Sequence, residues 1–169
     1  ASADEKNMQK VVDAKLISGT PANFATNVLT VVVPPTNPAK VHGFADLAKP
    51  GTSVVVCAPQ VPCGSAAQQV EQATGTTLKP VSEESSVTDV LNKVTSGQAD
   101  AGLVYVTDAK TAGAKVTAIG FPESAKAVNT YPIAPVTTSK QPQLARQFAD
   151  FITGPTGQQV LRDAGFGAP

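Results

Sequence analysis

The sequence predicts an α/β fold, and three observations carry that prediction. Short β-branched apolar runs alternate with stretches whose apolar residues recur at helical spacing. Apolar residues make up 41% of the 169 residues, enough to build a core in one domain or two small lobes. The apolar runs also end in loops from which helix patterns start, as in "VVVCAPQVPCGSAAQQV" at residues 54–70.

Taken in order, Asp4 is placed to cap a first helix carrying Met8, Val11 and Val12 on one face. "GTPANFATN" reads as a loop. "VLTVVVPP" reads as a buried strand, rich in β-branched residues and closed by two prolines. "GFADLAKPG" reads as a short helix stopped by Pro50 and Gly51. "SVVVC" is a second strand, and a helix runs from Gly64 to Thr74 and ends at Gly75. "TLKPVSEES" is extended. In "SSVTDVLNKVTSG", Val87, Val90, Leu91 and Val94 make one apolar helical stripe, Ser86 and Asp89 form a capping box, and Gly97 closes the helix. "ADAGLVYV" is a buried strand, and residues 114–121 and 127–136 are strands as well. Two helices finish the chain. The first shows Leu144, Ala145, Phe148, Phe151 and Ile152, and the second runs from Pro155 to Arg162 before Gly165.

Composition removes several function classes. Thirteen basic and thirteen acidic residues cancel and form no blocks, which argues against a nucleic-acid partner. No apolar run approaches the roughly 20 residues of a membrane span. Two cysteines and one histidine fall short of the four ligands of a structural zinc site. The single histidine, His42, lies in a connection and reads as a surface residue, so a Ser-His-Asp triad would depend on it alone.

Ligands of open α/β sheets sit beyond the carboxyl ends of the strands, where helices begin. Two helix starts suit an anion, Cys63-Gly64-Ser65 and Ser86-Val87-Thr88, because their first amides have no partner within the helix and carry partial positive charge. Tyr105, at the end of an otherwise aliphatic strand, can donate a hydroxyl. Neither helix start holds Lys, Arg or His. A site of neutral donors without an acceptor disfavours a ligand that still carries a proton, so a fully ionised tetrahedral oxyanion is preferred over hydrogen phosphate. Cys57 and Cys63 stand as C-x5-C. The pair reads as a disulfide in an exported protein, as free thiols in a cytosolic one, or as a metal or redox site with Cys63 as a helix-start nucleophile.

The segments "ASADEKNM", "FATNVLTVVVPPTNP", "FADLAKPG", "VPCGSAAQQ", "SEESSVTDVLNKVTSGQADAGLVYVTDA", "FPES", "YPIAP" and "TGPTGQQVLRDAGF" occur in this order between Ala1 and Phe166. Together they resemble the molybdate-binding proteins of ABC importers, the ModA family, and the two-cysteine "VVVC…VPCGSA" form resembles its actinobacterial members. The resemblance implies the periplasmic-binding-protein type II fold, in which two α/β lobes joined by a two-strand hinge close on the oxyanion. It implies a molybdate or tungstate ligand with no metal and no other cofactor. It places amide donors at Cys63 and Val87 and a hydroxyl donor at Tyr105. Position 63 is commonly alanine in the family, which favours a structural role for the Cys57 and Cys63 thiols.

The family pattern begins with a strand, a helix and a Gly-Ser-Ser type loop that precede the "SAD" motif and supply two serine ligands. Against that pattern the chain reads as truncated. Residues 30–130 are expected to form lobe 2, and residues 1–29 and 131–169 a remnant of an incomplete lobe 1. The implied function is that of an extracytoplasmic solute-binding protein, periplasmic or a cell-surface lipoprotein. It captures molybdate or tungstate for the membrane permease of an ABC importer, with binding impaired in this chain and with self-association through the incomplete lobe. The alternative is an effector-sensing domain of a transcriptional regulator with the same fold. An enzyme using Cys63 is a third reading, and the resemblance speaks against any catalytic role.

Overall fold

The structure is a computed structural model and describes residues 1–169. In chain order the elements are α1 (Glu5–Asp13), β1 (Ala22–Asn27), β2 (Leu29–Val33), β3 (Val54–Cys57), α2 (Pro62–Thr74), β4 (Ser82–Glu84), α3 (Val87–Thr95), β5 (Ala101–Tyr105), α4 (Val106–Ala112), β6 (Thr117–Ile119), β7 (Asn129–Ile133), α5 (Pro142–Thr153) and α6 (Pro155–Ala164). The chain divides into two compact units, Ala1–Asn27 with Asn129–Pro169, and Val28–Val128.

The unit Val28–Val128 is built on a five-stranded sheet in the order β4-β3-β5-β2-β6. Strand β3 runs parallel to both β4 and β5, and β2 pairs antiparallel with β5 and β6. Every residue of β2, β3 and β5 is buried, which is why these strands read as continuous apolar runs rather than as an alternation. Helices α2 and α3 both pack on β3 and β5. Because β4, β3 and β5 are parallel neighbours, their carboxyl ends share one edge of the sheet. Each is followed by a helix, α3, α2 and α4 respectively. With strands about 4.8 Å apart, the three helix starts stand side by side along that edge.

The other unit has a two-stranded antiparallel sheet of β1 and β7, with a register shift between Asn23 and Ala25. Helix α1, whose Met8 is buried, packs on β7, and α5 and α6 pack on β1. Its core is small, with Phe24, Ala25 and Ile133 buried among Tyr131, Ala149, Ile152, Leu161 and Phe166. Tyr131 meets Phe24 and Phe166 edge to face, with ring centroids 6.1 and 5.5 Å apart.

Four local readings change. Residues 19–27 contain strand β1 rather than a loop throughout. Its Asn23, Thr26 and Asn27 hide the strand signal, and the β7 ladder supplies what propensity does not. Helix α4 follows Tyr105 directly, where the sequence shows no helix start, since tyrosine is not a capping residue type. The segment after Gly43 is a 3₁₀ helix over Phe44–Ala48, and α2 begins at Pro62, two residues before Gly64. Proline suits that first position, because its missing N–H would have no intrahelical partner there.

Candidate functional site

The β3–α2 connection is the longest of the three, with residues 58–61 between strand and helix. Cys57 ends β3 and Cys63 lies in the first turn of α2, and the two form a disulfide with Cα atoms 5.6 Å apart. Both are buried, and the chain has no free cysteine. Of the readings open for the pair, the disulfide is the one the structure has, and Cys63 presents no thiolate. Helix α2 has no side-chain cap. With Pro62 at its first position, the amides of Cys63 and Gly64 are its leading donors. Gly64 is pressed against the loop backbone. A Cβ there would overlap the Ala58 carbonyl group and lie 2.6 Å from the Cys57 carbonyl oxygen. The sequence marks Gly64 as a residue that lets the backbone turn tightly at a helix start, and the structure adds that the Ala58 and Cys57 carbonyls leave no room for a side chain.

The neighbouring β4–α3 connection is tied to this one. The Ala58 N–H donates to the Glu84 carbonyl at 2.8 Å, extending the parallel register in which Cys57 faces Glu84. Ser86 caps α3. Its Oγ accepts from the Asp89 N–H at 3.2 Å and donates to Asp89 Oδ2 at 2.8 Å. That capping matches the sequence pattern and leaves the amides of Val87 and Thr88 as the leading donors of α3. The half-buried Val87 side chain packs against the core.

Tyr105 closes β5, paired across the sheet with Leu29, and its hydroxyl is buried. Its backbone N–H donates to Asp108 Oδ2 at 3.0 Å. Burial pushes the Asp108 carboxyl above the ordinary carboxylate range, and this hydrogen bond opposes the shift. The first turns of α2, α3 and α4 carry no basic residue. Lys93, in the last turn of α3, is ion-paired with Glu84 and donates to Ser82 at 2.9 Å. That pairing holds the Glu84 carboxyl below its usual range. His42 is exposed in a connection, where its backbone N–H donates to Asp46 Oδ2. No cluster of three or more His, Cys, Asp or Glu side chains could hold a metal ion. Cys63, Val87 and Tyr105 thus follow, or end, three adjacent parallel strands, all within the unit Val28–Val128.

The model of the family described as bacterial extracellular solute-binding protein matches residues 1–167. The molybdate-binding protein ModA of Mycobacterium tuberculosis is 54% identical over 169 residues, which cover 100% of this chain and 65% of that protein. The chain therefore spans less than two thirds of that relative's length. Among solved structures, the periplasmic molybdate-binding protein of Azotobacter vinelandii superposes with a TM-score of 0.85 at 24% identity, covering 99% of this chain and 77% of the other. The tungstate ABC transporter structure from Geobacter sulfurreducens superposes with a TM-score of 0.74 at 18% identity, covering 96% and 75%. Both likenesses support the periplasmic-binding-protein fold. With the family model matching nearly the whole length, this chain belongs to the bacterial extracellular solute-binding protein family.

Proposed function

We propose that this chain is the oxyanion-binding portion of an extracytoplasmic solute-binding protein that captures molybdate or tungstate for an ABC importer. The observation that carries the reading is the edge of the five-stranded sheet. There the starts of α2 and α3 and the end of β5 stand on adjacent parallel strands without a basic residue among them. In this reading the amides of Cys63 and Val87 and the hydroxyl of Tyr105 are the donors. Each helix start adds partial positive charge without a proton acceptor, which suits a tetrahedral dianion. The names of the M. tuberculosis and G. sulfurreducens proteins support molybdate and tungstate as the ligand pair. The protein acts by binding and not by catalysis, needs no cofactor, and has the membrane permease of the importer as its partner. It works in the periplasm or at the cell surface.

The alternative regulatory reading places the domain in a reducing cytosol, and the buried disulfide argues against it. A further partner is a second copy of the chain. The outward side of α5 carries Leu144, Phe148 and Phe151, all exposed, and supports self-association.

Calorimetric titration of the chain with molybdate, tungstate, sulfate and phosphate tests the function. Molybdate and tungstate are expected to bind with similar Kd, with hydrogen phosphate at least about tenfold weaker because it brings a donor to a donor-lined site. The affinity should fall below that of the longer M. tuberculosis relative titrated alongside. Absence of molybdate heat, or equal binding of phosphate, would overturn the assignment.

A further inference from the structure

We propose that the Cys57–Cys63 disulfide and Gly64 are positioning residues for the oxyanion site, together aiming the first amides of α2. The inference rests on the reading of that edge as an oxyanion site. Among the three helix starts along the edge, α3 is held by the Ser86 cap and α4 by the Asp108 carboxylate on the Tyr105 N–H. Helix α2 has no capping side chain at all. Its direction is set by other means. The disulfide ties the first turn to the last residue of β3. The bare Cα of Gly64 lets the same turn seat against the carbonyls of Cys57 and Ala58. The Ala58 N–H in turn is anchored on Glu84, and the Val61 N–H donates to the Ala58 carbonyl at 3.1 Å. The amides of Cys63 and Gly64 are thereby referenced to both β3 and β4, and through β4 to the start of α3.

Neither sulfur is a ligand here. Reduction by a dithiol passes two electrons and two protons to the pair and breaks the S–S bond. Cys57 and Cys63 are left as thiols, and the dithiol closes to its own disulfide. What changes is the freedom of the loop between them. A hydrogen bond to an anion depends on angle as well as distance, so an α2 start that is free to tilt loses affinity without unfolding.

The test uses the full chain, isotope-labelled for NMR, oxidised, reduced, and as the Cys57→Ser/Cys63→Ser and Gly64→Ala variants. Sodium molybdate is the probe and sodium sulfate the control. In the oxidised chain molybdate should shift the Cys63, Gly64 and Val87 amides. In the reduced chain and in both variants its Kd should rise at least about tenfold, the cost of one misdirected charge-assisted hydrogen bond. Amide hydrogen exchange should speed up at residues 58–66 while β2 and β5 keep their protection. Reoxidation of the reduced chain should restore the original Kd.

Unchanged affinity on reduction would overturn the proposal, and so would unchanged exchange at residues 58–66. Loss of protection in β2 and β5 as well would also overturn it, because the disulfide would then be a global stabiliser. If molybdate shifts no amide of the oxidised chain at millimolar concentration, the oxyanion reading itself fails. The exchange comparison still decides whether the disulfide and Gly64 hold the α2 start.

Discussion

Asp108 shows how one residue can hold a turn and strain it at once. Its carboxylate accepts the Tyr105 N–H, yet its burial favours the protonated form. A carboxyl whose folded pKa is raised binds its proton more tightly in the native state than in the unfolded chain. Stability therefore falls as pH rises from the unfolded value of about 3.8 to the raised folded value, and is level beyond it. Asp108→Asn keeps an acceptor for the Tyr105 N–H and removes the titration. Thermal melts from pH 3 to pH 7 should show the variant gaining on the parent through that window and holding a constant lead above it. Parallel curves would show that Asp108 is not the group responsible. Glu84 has the opposite sign. Its pairing with Lys93 depresses its pKa, so its contribution is present above about 4.5 and is lost as pH falls through the depressed value.

At the scale of elements, α3 and β5 fit together through a missing side chain. Gly102 is the second residue of β5, where a Cβ would come 2.7 Å from Val90 Cγ1 and 3.1 Å from Val94 Cγ2. Both valines are fully buried on the inner face of α3. The apolar stripe Val87, Val90, Leu91, Val94 thus does more than make a helix. It seats α3 directly on the strand that carries Tyr105. Gly102→Ala should destabilise the fold by about 1–3 kcal/mol through overpacking, read by urea denaturation. Val90→Ala removes the clashing methyls. The double variant should then be more stable than the sum of the two single changes implies. Strict additivity would mean that the two positions do not share this contact.

At the scale of the whole molecule, the two units differ in how well they bury themselves. The unit Val28–Val128 has fully buried central strands, whereas the twelve-residue helix α5 of the other unit has no buried residue at all. Ala145, Ala149 and Ile152 are its half-buried positions, while Phe148 is 57% exposed and Leu144 60%. Covering such side chains is worth about 1.5–3 kcal/mol each. Native mass spectrometry over rising concentration should therefore show dimers or larger species. Leu144→Ser with Phe148→Ser and Phe151→Ser should weaken that association at least about tenfold. A folded parent that stays monomeric at high concentration would sink the self-association proposal.

Most helices and the buried strands of this protein are legible locally. The Asp4 and Ser86 caps, the Gly75, Gly97 and Gly165 stops and the β-branched runs of β2, β3 and β5 are written within a few residues of where they act. Helix-end physics also singles out the starts Cys63-Gly64-Ser65 and Ser86-Val87-Thr88 as suited to an anion. What tertiary structure decided is whatever depends on pairing across long stretches of chain. Strand β1 exists because β7, about a hundred residues later, completes its ladder, and six residues with three polar side chains do not announce that. Parallel pairing of β3 with β4 and β5 brings three helix starts to one edge, and no periodicity within any single element records it. The same holds for Gly64, whose necessity arises from the Ala58 carbonyl folded back against it. Local propensity specifies the elements. Long-range hydrogen bonding and close packing select which of their ends meet.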